Sequence, residues 1–209
     1  MKYIIMCGGY ASNKPLRVMY GETLVERTIR LLKANGIHDI AISTNNAAYE
    51  AIGVPILSHE NKGQWLNAFY PSNVPSCYLY GDVLYSPNAI KTIVKTKTDS
   101  IEFFASSPPY DERYTKLWAE PFAFKAQDIE LFHECVRKTI KIKERFDRMP
   151  ISWELWQVIK KTPLNRIDYK NYIAINDYTV DIDSDEQAQL IIDRGYGKRR
   201  GPRKKGRGL

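Results

Sequence analysis

The sequence predicts an α/β domain with three layers: a mostly parallel central sheet flanked by helices. Three observations lead there. Strand-sized apolar runs alternate with amphipathic helical stretches along most of the chain. The first apolar run passes directly into a Gly8-Gly9 turn followed by Lys14. Acidic residues stand at the ends of two later strand-like segments, Asp82 in one and Asp181 with Asp183 in the other. At 209 residues the chain can bury one sizeable core.

The elements follow in order. Residues 3–7 read as the first strand. Thr23 opens a helix as N-cap, with Glu26 completing a capping box and Gly36 marking the stop. Residues 39–43 and 54–57 read as strands, with a polar turn at Thr44, Asn45 and Asn46 between them. A helix is expected over residues 64–70 and a strand over 77–80, ending in Gly81-Asp82. Pro87 fits the first turn of a helix to about residue 95. Strands are expected over 101–105 and over 117–125, the latter interrupted by Pro121. A charged helix covers 127 to about 148, Pro150 breaks it, and Ser152 is expected to cap the next helix. Residues 172–175 return to strand, and Ser184 caps a final helix. The boundaries imply a single domain over 1–194, regular α/β to about 105 and less regular from about 106. Residues 195–209 form a basic tail.

The net charge of +7 lies entirely in that tail, which carries seven basic and no acidic residues; the remaining chain balances at 24 of each sign. A segment this polar and glycine-rich cannot bury enough surface to fold alone. It reads as a solvated terminus or, alternatively, as an electrostatic tether to nucleic acid or another anionic polymer. Cys7, Cys77 and Cys135 have no metal-ligand or disulfide spacing, which fits a cytoplasmic protein. No apolar run is long enough to span a bilayer. The oligomeric state is open, with a homo-oligomer admitted.

A strand ending in glycines exposes backbone N–H groups at the carboxyl edge of a sheet, where phosphates bind, and Lys14 supplies a point charge there. Gly-Gly after a strand is more often a plain turn. Asp82 reads as a turn acid or as a carboxylate for a hard cation. Asp181 and Asp183 alternate in an extended segment, so both point to one face, which is unfavourable without a compensating cation. Asp183 is alternatively a cap of the last helix. His38, His59 and His133 have no partner pattern and read as surface or capped histidines.

These motifs resemble the GT-A-like, or Rossmann-like, nucleotidyltransferase family, especially phosphocholine cytidylyltransferases and sugar-1-phosphate nucleotidyltransferases. The residues carrying the resemblance are the strand and Gly8-Gly9 loop with Lys14, Leu24-Val25-Glu26-Arg27 ten residues on, Gly81-Asp82-Val83, and residues 177–184, Asp-Tyr-Thr-Val-Asp-Ile-Asp-Ser. It implies transfer of a nucleotidyl group from a nucleoside triphosphate, CTP or UTP favoured, to a phosphorylated sugar or alcohol, releasing pyrophosphate. It further implies Lys14 and Asp82 as catalytic residues and Mg²⁺ on Asp82, Asp181 and Asp183. The nucleotide would be held by Cys7, Gly8, Gly9, Tyr10, Ser12, Lys14, Thr44, Asn45, Asn46 and Gly81. Lys116, Glu120, Trp153 and Glu154 would bind the acceptor in an acceptor-binding half from about 106, with a nucleotide-binding half to about 105, although Trp153 at helical spacing more often reads as core. The chain departs from the family in a shorter loop with no arginine between Gly9 and Lys14, which leaves Ser12, Lys14 and Arg17 to grip the triphosphate. Two other readings are a GT-A-like glycosyltransferase using a nucleotide sugar, and an inactive polymer-binding protein driven by the tail.

Overall fold

A computed structural model describes residues 1–8, 13–59, 64–69, 72–107 and 119–197. Along the chain these form β1 (Lys2–Met6), a 3₁₀ turn (Lys14–Leu16), β2 (Val18–Met19), β3 (Glu22–Thr23), α1 (Leu24–Ala34), β4 (Ile40–Ser43), a 3₁₀ segment (Ala47–Ile52), β5 (Ile56–Leu57), a 3₁₀ turn (Trp65–Ala68), β6 (Ser76–Tyr80), β7 (Val83–Leu84), α2 (Pro87–Lys95) and β8 (Ile101–Ala105). There follow β9 (Pro121–Ala126), α3 (Ile129–Phe146), α4 (Ser152–Lys160), β10 (Ile173–Ala174), β11 (Val180–Asp181) and α5 (Asp185–Asp193).

Seven strands make the central sheet in the order β10-β8-β9-β6-β1-β4-β5. The strands run parallel except β9, which pairs antiparallel with both β6 and β8. Because β1 is buried on both faces, its alternation feeds two cores. Tyr3, Ile5 and Cys7 join Val25, Ile29 and Leu32 of α1 and Ile90 and Ile93 of α2 on one side. Ile4 and Met6 face the other side, with Tyr78, Phe103 and Phe124 against Phe132 of α3 and Trp153 and Trp156 of α4. The Phe103 and Phe124 rings stack there at 4.4 Å. The expected three layers are thus present.

A third, smaller core holds the site-bearing edge together. Met19, Leu24, Leu84, Val180, Ile182 and Ile191 pack under the β7–β11 ribbon. Tyr20 donates to the carbonyls of Ile191 (3.1 Å) and Tyr196 (2.5 Å), and Tyr196 stacks on Tyr178 at 6.5 Å. The folded body therefore extends to residue 197, past the expected boundary at 194, and residues 198–209 of the basic tail lie outside the described residues.

Local expectations held where side chains cap helices. Thr23 and Glu26 form the capping box of α1, and Ser184 caps α5 through the Gln187 N–H. Several boundaries are corrected. The segment after Gln64 makes a short 3₁₀ turn rather than a helix, with Gln64 itself as the cap. The ninth strand begins at Pro121, and residues 108–118 lie outside the described residues. Ile151, not Ser152, is the N-cap of α4, and Glu154 accepts from its N–H at 3.0 Å. The β11 strand ends at Asp181, but Val180 and Ile182 both enter the small core while Asp181 and Asp183 lie on the other side, so the expected alternation carries on to Asp183.

Gly81 joins β6 to β7 where the chain passes close against the end of β1. Its N–H donates to the Met6 carbonyl at 3.0 Å, and a Cβ there would come within 2.6 Å of that oxygen and 2.7 Å of the Cys7 sulfur. Gly81→Ala should lower stability by about 1–3 kcal/mol through overpacking, measured by urea unfolding; an unchanged midpoint would show that this crossing has slack.

Candidate active site

The carboxyl ends of β1, β4 and β6 meet at one edge of the sheet, where residues distant in sequence converge. Asp82 follows β6 directly. The antiparallel ribbon pairs Asp181 with Val83, and Ile182 donates to the Asp82 carbonyl at 3.0 Å, so the backbone itself sets Asp181 beside Asp82. Lys14, at the start of a 3₁₀ turn anchored by buried Pro15, places its ammonium 2.5 Å from Asp183. Arg17 closes the same junction, reaching the Ile182 carbonyl at 3.0 Å and Asp185 at 2.9 Å. Gln187 completes it by donating to the Asp181 carbonyl and accepting from the Asp183 N–H.

The electrostatics are those of a site short of positive charge. Burial raises the Asp82 pKa, with Lys14 opposing the shift. Asp181 is raised well above the carboxylate range, first by burial and then by Asp82, Asp183 and Glu120. Both carboxylates are half-buried and line the adjoining cavity. Glu120 is buried and accepts from the Asp181 N–H at 3.1 Å. Burial works to lower the Lys14 pKa, but the hydrogen bond and charge of Asp183, with Asp181 and Asp82 behind it, raise it.

A cavity of about 480 Å³ opens from this edge toward α4, with Asp82 and Asp181 at its polar end. One Asp181 oxygen, Oδ1, is buried there without a hydrogen-bond partner. Two adjacent carboxylates, one with an orphaned oxygen, fit Mg²⁺, which is commonly held by one or two carboxylates together with substrate phosphates. Among the described residues no group of three or more His, Cys, Asp or Glu side chains is arranged to hold a metal. Asp183, expected as a third ligand, instead faces Lys14. With side-chain exposures of 23% and 41%, that pair contributes about 1 kcal/mol or less, so an anionic ligand can displace it.

The other expected site residues divide clearly. Gly8 lines the cavity, and Gly81 braces the turn beneath Asp82. Cys7 is buried below, its thiol pushed far up by burial, which leaves it no nucleophilic role. Thr44 is buried and donates to the Cys7 carbonyl at 3.2 Å; Asn46 donates to Asn13 at 2.9 Å, and Asn45 is exposed. These three residues sit at the end of β4, on the far side of β1 from the cavity. Trp153 lines the cavity but gives its indole N–H to the Ala119 carbonyl at 2.7 Å. Glu154 is tied up by Arg148 and the Ile151 N–H. Gly9, Tyr10, Ser12 and Lys116 lie outside the described residues.

Sequence reasoning missed the other cavity walls, Trp65, Tyr80 and Tyr169, whose apolar spacing reads simply as core. Nor did it show the partners of two histidines. His59 packs its ring on the Gly8 backbone, where a Cβ would fall 2.2 Å from it, and pairs through Nδ1 with Ser43 at 3.1 Å; His133 meets the Tyr78 hydroxyl at 3.2 Å.

No protein-family model matches this chain, and no curated protein matches it in sequence. Solved structures do match it over nearly its whole length. One is a 4-diphosphocytidyl-2C-methyl-D-erythritol synthase from Anaerococcus prevotii (TM-score 0.59, 12% identity, 92% of this chain and 94% of that one). Another is the inositol-1-phosphate CTP transferase from T. maritima (TM-score 0.54, 17% identity, 94% and 96%). A third is the CTP:phosphocholine cytidylyltransferase from Streptococcus pneumoniae (TM-score 0.51, 15% identity, 92% and 98%). The fold of this chain is therefore the Rossmann-like fold of nucleotidyltransferases.

The raised carboxylates bear on stability. Near pH 4 the unfolded chain begins to release protons that folded Asp181 retains, so stability falls as pH climbs from there through the raised folded pKa. Asp181→Asn should then stabilise the protein in EDTA at pH 7.5 by roughly 0.5–2 kcal/mol, with the gain fading at or below pH 4. Thermal unfolding at both pH values checks this; an equal gain at both would assign it to packing rather than charge.

Proposed function

We propose that this protein is a Mg²⁺-dependent nucleotidyltransferase that joins a nucleoside triphosphate, CTP or UTP favoured, to a phosphorylated small molecule and releases pyrophosphate. The observation that carries the proposal is Asp82 and Asp181 together at the floor of a substrate-sized cavity on the carboxyl edge of the sheet, with Lys14 held at Asp183 near enough to feel both charges. The fold, shared with CTP-using transferases, supports it.

In the reaction, an oxygen of the acceptor phosphate forms a bond to the α-phosphorus, and the α–β phosphoanhydride bond breaks with its electron pair leaving on pyrophosphate. A phosphate monoester arrives largely ionised at neutral pH, its second pKa being about 6, so no strong base is required. The protein's work is positioning and charge neutralisation. Lys14 exchanges its contact with Asp183 for a phosphate oxygen of the triphosphate. Gly8 offers backbone close to the phosphates, and the end of β4 from Thr44 to Asn46 stands where a base would lie. Asp82 and Asp181 would hold Mg²⁺, which when bound offsets the charge developing on the transferred phosphoryl group. Arg17 keeps the Lys14 turn fixed to the Ile182–Asp185 segment, so the cation and the carboxylates move as one unit. A cytoplasmic setting suits three free, buried cysteines.

With Mg²⁺, one triphosphate and a suitable phosphorylated acceptor, pyrophosphate should form, and Lys14→Ala and Asp82→Asn should each lower kcat by about 10²–10³-fold. Coupled pyrophosphate detection reads this directly. Wild-type rates in either variant would remove Lys14 or Asp82 from the chemistry.

A further inference from the structure

The cavity wall carries information about the acceptor, and the inference from it rests on the transferase reading above. The Asp82–Asp181 floor fixes where the reacting phosphate sits, so the rest of the acceptor must extend along the walls toward α4. Among the described lining residues, four of the polar side chains are engaged within the protein. Tyr80 and Ser152 hydrogen-bond each other at 2.6 Å. The Trp65 indole N–H donates to the Pro150 carbonyl at 2.8 Å, and that of Trp153 to the Ala119 carbonyl at 2.7 Å. The cavity thus meets ring faces and aliphatic surface, continued at its rim by Ile151, which is 44% exposed, and by Tyr169, set edge-on to Trp153 at 4.7 Å.

Two acceptor classes fit poorly. A polyhydroxylated sugar would lose water from its hydroxyls against Trp65, Tyr80, Ser152 and Trp153, whose polar atoms are already paired, which is costly for each unpaired group. An ammonium head would need compensating charge, yet beside the Pro150–Ser152 rim the acid, Glu154, is locked to the Arg148 guanidinium and to the Ile151 N–H. A neutral apolar group gains from burial against every one of these surfaces.

We propose that the acceptor is the phosphate monoester of an apolar alcohol, its phosphate at the Asp82–Asp181 floor and its hydrocarbon part running between Trp65, Tyr80 and Trp153 to leave past Ile151. The test compares butyl, hexyl and octyl phosphate with glucose 1-phosphate and phosphocholine, using the full chain with Mg²⁺ and each of CTP and UTP, and nucleotide binding is measured in parallel by calorimetry. The expected result is turnover of the alkyl phosphates with kcat/KM rising about fourfold per methylene until the cavity is filled, at least tenfold above the sugar and choline esters. Ile151→Ser, which supplies a better helix cap and so keeps the fold, should raise KM for hexyl phosphate several-fold more than KM for the triphosphate. Preference for glucose 1-phosphate or phosphocholine, or nucleotide binding without turnover of any alkyl phosphate, overturns this inference while leaving nucleotidyl transfer standing. Absence of nucleotide binding overturns the transferase reading itself.

Discussion

The structure turns on one unfavourable arrangement: Asp82 and Asp181 held side by side at the edge of the sheet, with Lys14 foremost and Arg17 behind it to offset the charge. Backbone pairing enforces it. The β7–β11 ladder sets Asp181 against Val83 whatever the charge state, and Gly81 permits the close crossing that delivers Asp82 to the same place. A third small core and the Arg17 and Gln187 bridges then hold the ribbon against the sheet. This much support around mutually repelling carboxylates is what the proposed site for a cation and its anionic ligand requires.

Much of this was legible in the sequence. Gly81-Asp82 at a strand end and the acids at 181 and 183 carry a local signal, because strand termini and turn chemistry are written in adjacent residues. Helix caps such as Thr23–Glu26 and Ser184 were equally plain. What sequence could not show was pairing at a distance. The contact of Lys14 with Asp183 spans 169 positions, and nothing local reveals whether Asp183 faces a metal or an ammonium. The alternation puts both acids on one side, as the sequence implies, but which partner each one meets there is decided by the Lys14 turn.

The apolar wall was hidden for a different reason. Trp65, Tyr80 and Trp153 look like core residues in sequence because they nearly are: each buries one side and gives its polar atom to a neighbour. Whether the remaining ring face meets protein or a cavity depends on how α4 approaches the sheet. That approach is set by Pro150 and by the Ile151–Glu154 cap, two features whose tertiary consequence appears only on folding.

The central claim, that Asp82 and Asp181 form the cation site of a nucleotide-binding edge, is tested most directly by anomalous scattering from crystals soaked with Mn²⁺ and a non-hydrolysable CTP or UTP analogue. The account predicts a metal peak bridging these two carboxylates and the triphosphate, with the Lys14 ammonium moved from Asp183 to a phosphate oxygen. A nucleotide bound elsewhere, or a metal peak away from both aspartates, would contradict it.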